Sequence, residues 1–257
     1  MRRRQLVEIH ELAACPDVLR RLATEYLHTV GNLFRAFSPI TPILGELARE
    51  THATAIVDLC SGAGGPALFL ARELAREPGT SLDLVLTDLH PNRAAFERAE
   101  RTVGARVRGE PEPIDARAVP ERLVGIRTLF DAFHHFPEED ARRILADAAR
   151  TKTPILIVEG TERTLRGIAV MLVAAPLLTL LLTPFVRPLT WWRVALTYLI
   201  PVAPLLILFD GVVSCLRTYT RDELRAMTRD LSDGYCWHIG VTRTRGQPLL
   251  YVVGKPR

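Results

Sequence analysis

The chain has 257 residues, 48% hydrophobic and 24% charged, which excludes a disordered chain and allows one large domain or a domain carrying a substantial insertion. Its net charge of +4 is mild and no Lys/Arg-rich run is interleaved with aromatics, so nucleic acid is not an expected partner. Cys15, Cys60, Cys215 and Cys236 share no CxxC spacing, which argues against a structural zinc site and for a reducing compartment.

The N-terminus "MRRRQLVEIHELAACPDVLRR" reaches Glu8 and Glu11 before any apolar run, so it does not read as a secretory signal. Val18, Leu22 and Tyr26 are spaced four apart, with Leu19 and Val30 near the same face, and predict an N-terminal helical cap over 1–50 that ends in the proline-punctuated "SPITPIL". From residue 54 strand-like and helical stretches alternate. "TAIVDLC" is followed by "PALFLARELARE", stopped at Pro78-Gly79, then by "LDLVLTDL", "NRAAFERAERTVG", "IRTLFDAF", "EEDARRILADAAR" and "PILIVEG". Short apolar strands alternating with helices predict a doubly wound, mostly parallel α/β sheet covered on both faces.

The alternation breaks after Glu159. "GIAVMLVAAPLLTLLLTPFV" (167–186) runs uncharged between Arg166 and Arg187, and "VALTYLIPVAPLLILF" (194–209) follows Arg193, so 161–216 is read as a hydrophobic helical insertion. Thr220 and Glu223 in "TRDEL" form a capping-box signature, and "YCWHIGVTR" and "PLLYVVGK" around "TRGQ" predict a closing antiparallel hairpin. The α/β domain is thus expected over 51–160 and 217–257.

The stretch "DLCSGAGGP" (58–66) joins the first strand to the first helix of that domain. Gly62, Gly64 and Gly65 allow a sharp bend or a close approach, and Pro66 suits the first turn of a helix. Such a turn aims backbone N–H groups at a ligand, although glycines also serve merely to close a tight connection. Asp58 ends the first strand and Asp88 the second, where a nucleoside-bearing cofactor needs acids; a helix N-cap is the competing role for Asp88.

With these residues the sequence resembles the class I S-adenosylmethionine-dependent methyltransferases, as a bacterial branch carrying a hydrophobic insertion. Their first motif, an acid followed by alternating glycines, stands here as Asp58-Leu59-Cys60-Ser61-Gly62-Ala63-Gly64-Gly65; Cys60 occupies the place where a first glycine is usual. The resemblance covers about 54–160 plus the final helix and hairpin, and implies a seven-stranded sheet. It implies that Asp58, Cys60, Gly62, Gly64, Asp88, Leu89, Asp115 and Ala116 bind S-adenosyl-L-methionine, with Asp88 on the ribose and Asp115-Ala116 on the adenine side. The rival is an NAD(P)-dependent oxidoreductase, since "GAGGPA" also fits G-x-G-x-x-A; against it, Asp58 would set a like charge beside a pyrophosphate.

Methyl transfer needs positioning in a dry pocket, with a general base optional. Asp131, ending the fourth strand, is expected nearest the methyl group, and His134 or His135 could take a proton from the acceptor; equally, one histidine is packed and the other caps a helix. Glu159 faces the same rim as a substrate residue or, alternatively, as an N-cap or partner of Arg163. No metal motif is recognisable.

Twenty uncharged residues of helix reach across roughly 30 Å, the thickness of a bilayer core. The tip "RPLTWWR" combines Trp191, Trp192 and two arginines, a headgroup-level mixture, so residues 165–216 are expected to associate with membrane lipid at the cytoplasmic face; a cap or dimer interface is the other possibility. Pro176, Pro184, Pro201 and Pro204 are expected to break or kink the helices. The insertion leaves the chain just after the fifth strand and is expected to wall a small lipophilic acceptor. Asp210, costly to bury unpaired, is expected to face the active-site opening as a substrate residue or to pair with Arg217. A membrane-docked binding module without turnover is the non-enzymatic alternative; the oligomeric state is not legible.

Overall fold

The structure, a computed structural model, describes residues 1–76, 82–104 and 106–257; the helix stop expected at Pro78-Gly79 lies outside them. In chain order the elements are α1 (Asp17–Leu33), α2 (Thr41–Thr51), β1 (Ala55–Asp58), α3 (Gly65–Leu74), β2 (Asp83–Leu86), α4 (Arg93–Val103), β3 (Val107–Gly109), β4 (Ile126–Phe130), α5 (Glu138–Arg150), β5 (Ile155–Glu159), α6 (Leu165–Leu182), α7 (Trp191–Val194), α8 (Val202–Arg217), α9 (Arg221–Thr228), β6 (Tyr235–Thr244) and β7 (Gln247–Pro256). Two compact units emerge: Met1–Phe34 with Thr161–Tyr219, and Arg35–Gly160 with Thr220–Arg257. The cap expected as one piece over 1–50 is therefore divided between them.

In the second unit the described residues form a seven-stranded sheet in the order β3-β2-β1-β4-β5-β7-β6. β1 to β5 run parallel, and β7 and β6 close the edge antiparallel. Every residue of β4 and β5 is buried, which is why these strands read as apolar runs rather than alternating ones. Arg127 of β4 is the exception in kind: its guanidinium is buried and bonds Asp147 of α5 at 2.7 Å, so the charge is paired where it is desolvated. Ile40, Leu44, Leu70, Leu74, Leu84, Ile126 and Leu156 are packed within one core cluster.

Two details differ from the sequence reading. The prolines of "SPITPIL" begin a helix rather than end one: Pro42 sits in the first turn of α2, where its missing N–H loses no bond. β3 is a three-residue edge strand with a charged centre, too short to give a pattern. The capping box of Thr220 and Glu223 starts α9, and the hairpin turns on Arg245 and Gly246, with φ of 46° and 83°, the positive pair a tight two-residue hairpin loop requires.

The first unit is helical. α6 carries Pro176 in its interior and continues through it, while α7 passes into a wide turn over Ala195–Leu199 and breaks before Pro201, so that the segments Trp191–Leu199 and Val202–Arg217 meet at 75°. α1 packs on this hairpin through Ala23 and Tyr26, which share a core with Ala175, Leu182, Val186, Leu206 and Ile207. Arg193, expected at headgroup level, is instead 2% exposed, because it bonds Glu25 of α1 and the carbonyls of Val186 and Pro188. Asp210 does not pair with Arg217. Its carboxylate accepts the Ile9 N–H at 2.6 Å and faces His10 Nδ1 at 2.9 Å, whereas Arg217 bonds Glu11. The His10 imidazole is pulled down by burial, but its bond to Asp210 and the charges of Glu8, Asp210 and Glu11 outweigh this and raise it.

Candidate active site at the carboxyl ends of the parallel strands

β1 and β4 are neighbours in the sheet although β2 and β3 separate them in sequence. The strand order reverses at this pair, so the loops leaving them diverge and open the crevice in which such sheets take ligands.

On the β1 side the loop is held by a buried polar lattice. The Thr128 hydroxyl of β4 donates to Asp58 Oδ1 at 2.7 Å, while the Asp58 carbonyl accepts from Ser61 Oγ, Thr87 N and Thr87 Oγ1 at 2.8–2.9 Å. Burial pushes the Asp58 carboxyl up to about 7, against the hydrogen bonds of Thr128 and Ser61 and with the Asp88 charge adding to the rise. Cys60, Gly62 and Gly64 all take positive φ, of 58°, 54° and 79°. The departure at Cys60 from the glycine pattern is thus accommodated in a left-handed conformation that costs an L-residue roughly 1–2 kcal/mol.

The two glycines serve different ends. A Cβ on Gly64 would press on Leu68 and Leu86 at 3.0–3.2 Å, so this glycine lets α3 pack on β2; a Cβ on Gly62 would meet nothing within 4 Å and enter open space. Gly62 N–H donates to Asp88 Oδ2 at 2.9 Å, and His90 N–H to Asp88 Oδ1 at 2.9 Å. Asp88 does not cap α4, a task that falls to Asn92, which accepts from Ala95 N at 3.1 Å. Each oxygen of an ionised carboxylate has about two acceptor sites, so Asp88 retains capacity for further donors. Leu89 beside it is exposed.

The loop after β3 joins this lattice when Ile114 N–H donates to the Asp88 carbonyl at 2.9 Å. Asp115 follows, gripped by the Arg117 guanidinium at 2.7–3.1 Å, which holds its carboxyl below the usual range, and Arg117 also reaches Asp140 at 3.1 Å. Ala116 is buried. The Cys60 thiol registers the resulting field: burial raises it most, and Asp88, Asp58 and Asp115 each raise it further.

On the β4 side Asp131 is exposed at φ 47°, and its Oδ1 accepts Gly160 N–H at 2.6 Å. The 3-10 turn Phe133–His135 then brings His134 against Glu159 at the end of β5. His134 Nδ1 lies 2.6 Å from Glu159 Oε2, the His134 N–H donates to Glu159 Oε1 at 3.0 Å, and both residues are buried. The His135 ring stacks against His134 at 4.2 Å. A carboxylate on the Nδ1 side holds the proton there and makes Nε2 the basic nitrogen; Nε2 is itself buried, so it acts as a base only on an acceptor that displaces what covers it.

The structure therefore brings Asp58, Cys60, Gly62, Asp88 and Asp115 together around one turn, and Asp131, His134, His135 and Glu159 around another; Asp210 belongs to the helical unit. Sequence reasoning missed Ser61, Thr87, Arg117 and Thr128, and it gave His134 and Glu159 separate roles. The available signal was that both stand at exits of strands adjacent in the expected sheet.

No family model matches the chain, and no curated protein sequence does. Solved structures do. An O-methyltransferase family protein from Burkholderia thailandensis is 17% identical, with 86% of this chain and 56% of that chain covered and a TM-score of 0.50. The mitomycin 7-O-methyltransferase MmcR is 16% identical, with coverage of 97% and 59% and a TM-score of 0.52. Magnesium protoporphyrin IX methyltransferase (ChlM) from Synechocystis PCC 6803 with bound SAM is 9% identical, with coverage of 99% and 100% and a TM-score of 0.52. The chain thus spans a little over half the length of the first two and the whole of the third. The chain has the fold of the class I S-adenosylmethionine-dependent methyltransferases.

Proposed function

We propose that this protein is an S-adenosylmethionine-dependent methyltransferase acting on a small lipophilic acceptor at the cytoplasmic face of a membrane. The observation that carries the cofactor half is the acidic glycine turn: Asp58 ends β1, Asp88 stands just past the end of the neighbouring β2 and accepts the Gly62 N–H, and Gly62 borders open space. Asp58 is buried with its carboxyl raised to about 7 and Asp115 is paired with Arg117, so Asp88 carries the open acceptor capacity at the turn; it already takes the Gly62 N–H that would anchor a pyrophosphate, which tells against the dinucleotide alternative.

The residues fit the cofactor. The turn Cys60–Gly65 would receive its backbone-side atoms, Asp88 its ribose hydroxyls, Leu89 one face of the base and the Asp115-Ala116 loop the adenine edge. Arg117 limits what Asp115 has left to offer. The cofactor supplies an activated methyl group; this chain's own task is to orient the acceptor, exclude water and, through His134 backed by Glu159, hold the acceptor's proton. Asp131 lines the same side. Asp88→Ala is expected to weaken S-adenosylhomocysteine binding by about 1–3 kcal/mol, the size of lost charge-assisted hydrogen bonds. Unchanged affinity would leave Asp88 as a brace for the glycine turn alone.

The lipophilic half is supported by the helical unit, where the stretch Leu165–Phe185 is long and apolar enough to cross a membrane and leaves Leu172, Val173, Leu177 and Leu181 exposed. With labelled S-adenosylmethionine and extracted membrane lipids, label is expected in an organic-soluble product. Cofactor binding with no labelled product under any condition would favour a non-catalytic binding module.

A further inference from the structure

We propose that the helical unit lies flat in the surface of an anionic bilayer, as a raft of α1, α6 and α8, and does not span it. This rests on the membrane half of the function proposed above.

The first observation is the distribution of exposure along α6. Leu172, Val173, Leu177, Leu180 and Leu181 are exposed, at spacings of one, four, three and one, while Ala175, Thr179 and Leu182 are buried on the opposite face. The exposed stripe is uncharged from end to end, and Phe185, Trp191, Leu199, Leu205 and Phe209 add exposed apolar surface from the following segments. α6 is apolar on its packed face as well, so the exposed stripe calls for a lipid or protein cover without fixing the orientation, which is decided by what packs on the other face.

The second observation is what occupies the other face. α1 runs alongside the hairpin from the level of Asp210, where Arg20 Nε donates to the carbonyl of the Asp210-bound His10, to the level of Arg193, where Glu25 is bound. Tyr26, next to Glu25, packs with Ala175 and Leu182 of α6. α1 carries Asp17, Arg20, Arg21, Glu25 and His28. If α6 and α8 crossed the bilayer, α1 would be drawn in beside them and its charges would enter hydrocarbon, which is costly for each. Lying in the plane removes the conflict: the stripe enters the acyl boundary while α1 stays on the water side.

The third observation is charge. Exposed Arg166 and Arg187 stand at the two ends of the stripe. Arg4 N–H donates to the Leu216 carbonyl and Arg3 Nε to that of Arg217, so the N-terminal arginines gather at the end of α8; the bond between Thr161 and Thr218 hydroxyls places the start of the insertion at that same end. Exposed cations around an apolar face are complementary to anionic headgroups.

The test is depth. Leu172→Cys and Leu180→Cys, each in the full chain, are labelled with a fluorophore, mixed with phosphatidylglycerol/phosphatidylcholine vesicles and quenched by nitroxides placed at graded positions along the lipid chains; the parent chain, labelled identically, gives the signal of the native cysteines for subtraction. The two positions are eight residues apart, about 12 Å along a helix axis. Equal shallow depths at both, with binding reduced at least tenfold on pure phosphatidylcholine, are expected. A depth difference approaching 12 Å would overturn the flat orientation and leave the membrane reading standing. Absence of quenching at both positions would overturn the membrane reading itself, and a lipid-free dimer in sedimentation would then identify a second copy of the chain as what covers the stripe.

Discussion

Glu159→Gln is expected to lower turnover by about 10²–10⁴-fold, the usual contribution of a positioned general base, while leaving S-adenosylhomocysteine affinity unchanged. The reason lies in the two bonds that fix the carboxylate. Oε1 accepts the His134 backbone N–H and Oε2 faces His134 Nδ1. In the amide only one end can accept. The backbone N–H must keep the oxygen, so the NH2 group turns toward Nδ1, which then has to accept, and the ring proton moves to Nε2. The basic nitrogen is lost without a change of shape. His134→Gln should show the same loss, since it removes the imidazole. Steady-state turnover alongside cofactor titration checks both, and undiminished turnover in both would make the pair a brace between the exits of β4 and β5.

Gly62→Val is expected to abolish cofactor binding, by at least ~100-fold or about 2.7 kcal/mol, while the protein stays folded. A Cβ at this position meets no protein atom within 4 Å, so the added bulk enters the space in front of the turn and not the core. The positive φ of 54° adds backbone strain of roughly 1–2 kcal/mol, which lowers stability without unfolding a sheet of this size. Calorimetric titration together with thermal unfolding separates the two effects. Normal binding would show that the turn only connects β1 to α3, as Gly64, packed on Leu68 and Leu86, does.

What the sequence made legible was local. Alternating strands and helices, the glycine turn between β1 and α3, the Thr220/Glu223 box and the closing hairpin all depend on residues within a few positions of one another. What it concealed was the pairing of polar groups across the fold. Thr128 reaches Asp58 over 70 residues, and His134 reaches Glu159 over 25. In the helical unit Arg193 resembled a headgroup arginine until Glu25, 168 residues earlier, claimed it, and Asp210 found its donors at Ile9 and His10 near the other end of the chain. A buried charge must have a partner, but composition and spacing do not say which. Only the topology decides.

The central claim is that the acidic glycine turn binds the S-adenosyl nucleoside shared by S-adenosylmethionine and its product. Calorimetric titration of the full chain with S-adenosylhomocysteine and, separately, with NAD(H) tests it most directly. Saturable one-to-one binding of S-adenosylhomocysteine, with no heat from either nicotinamide form, is the predicted result; binding of the nicotinamide cofactor alone would contradict the account.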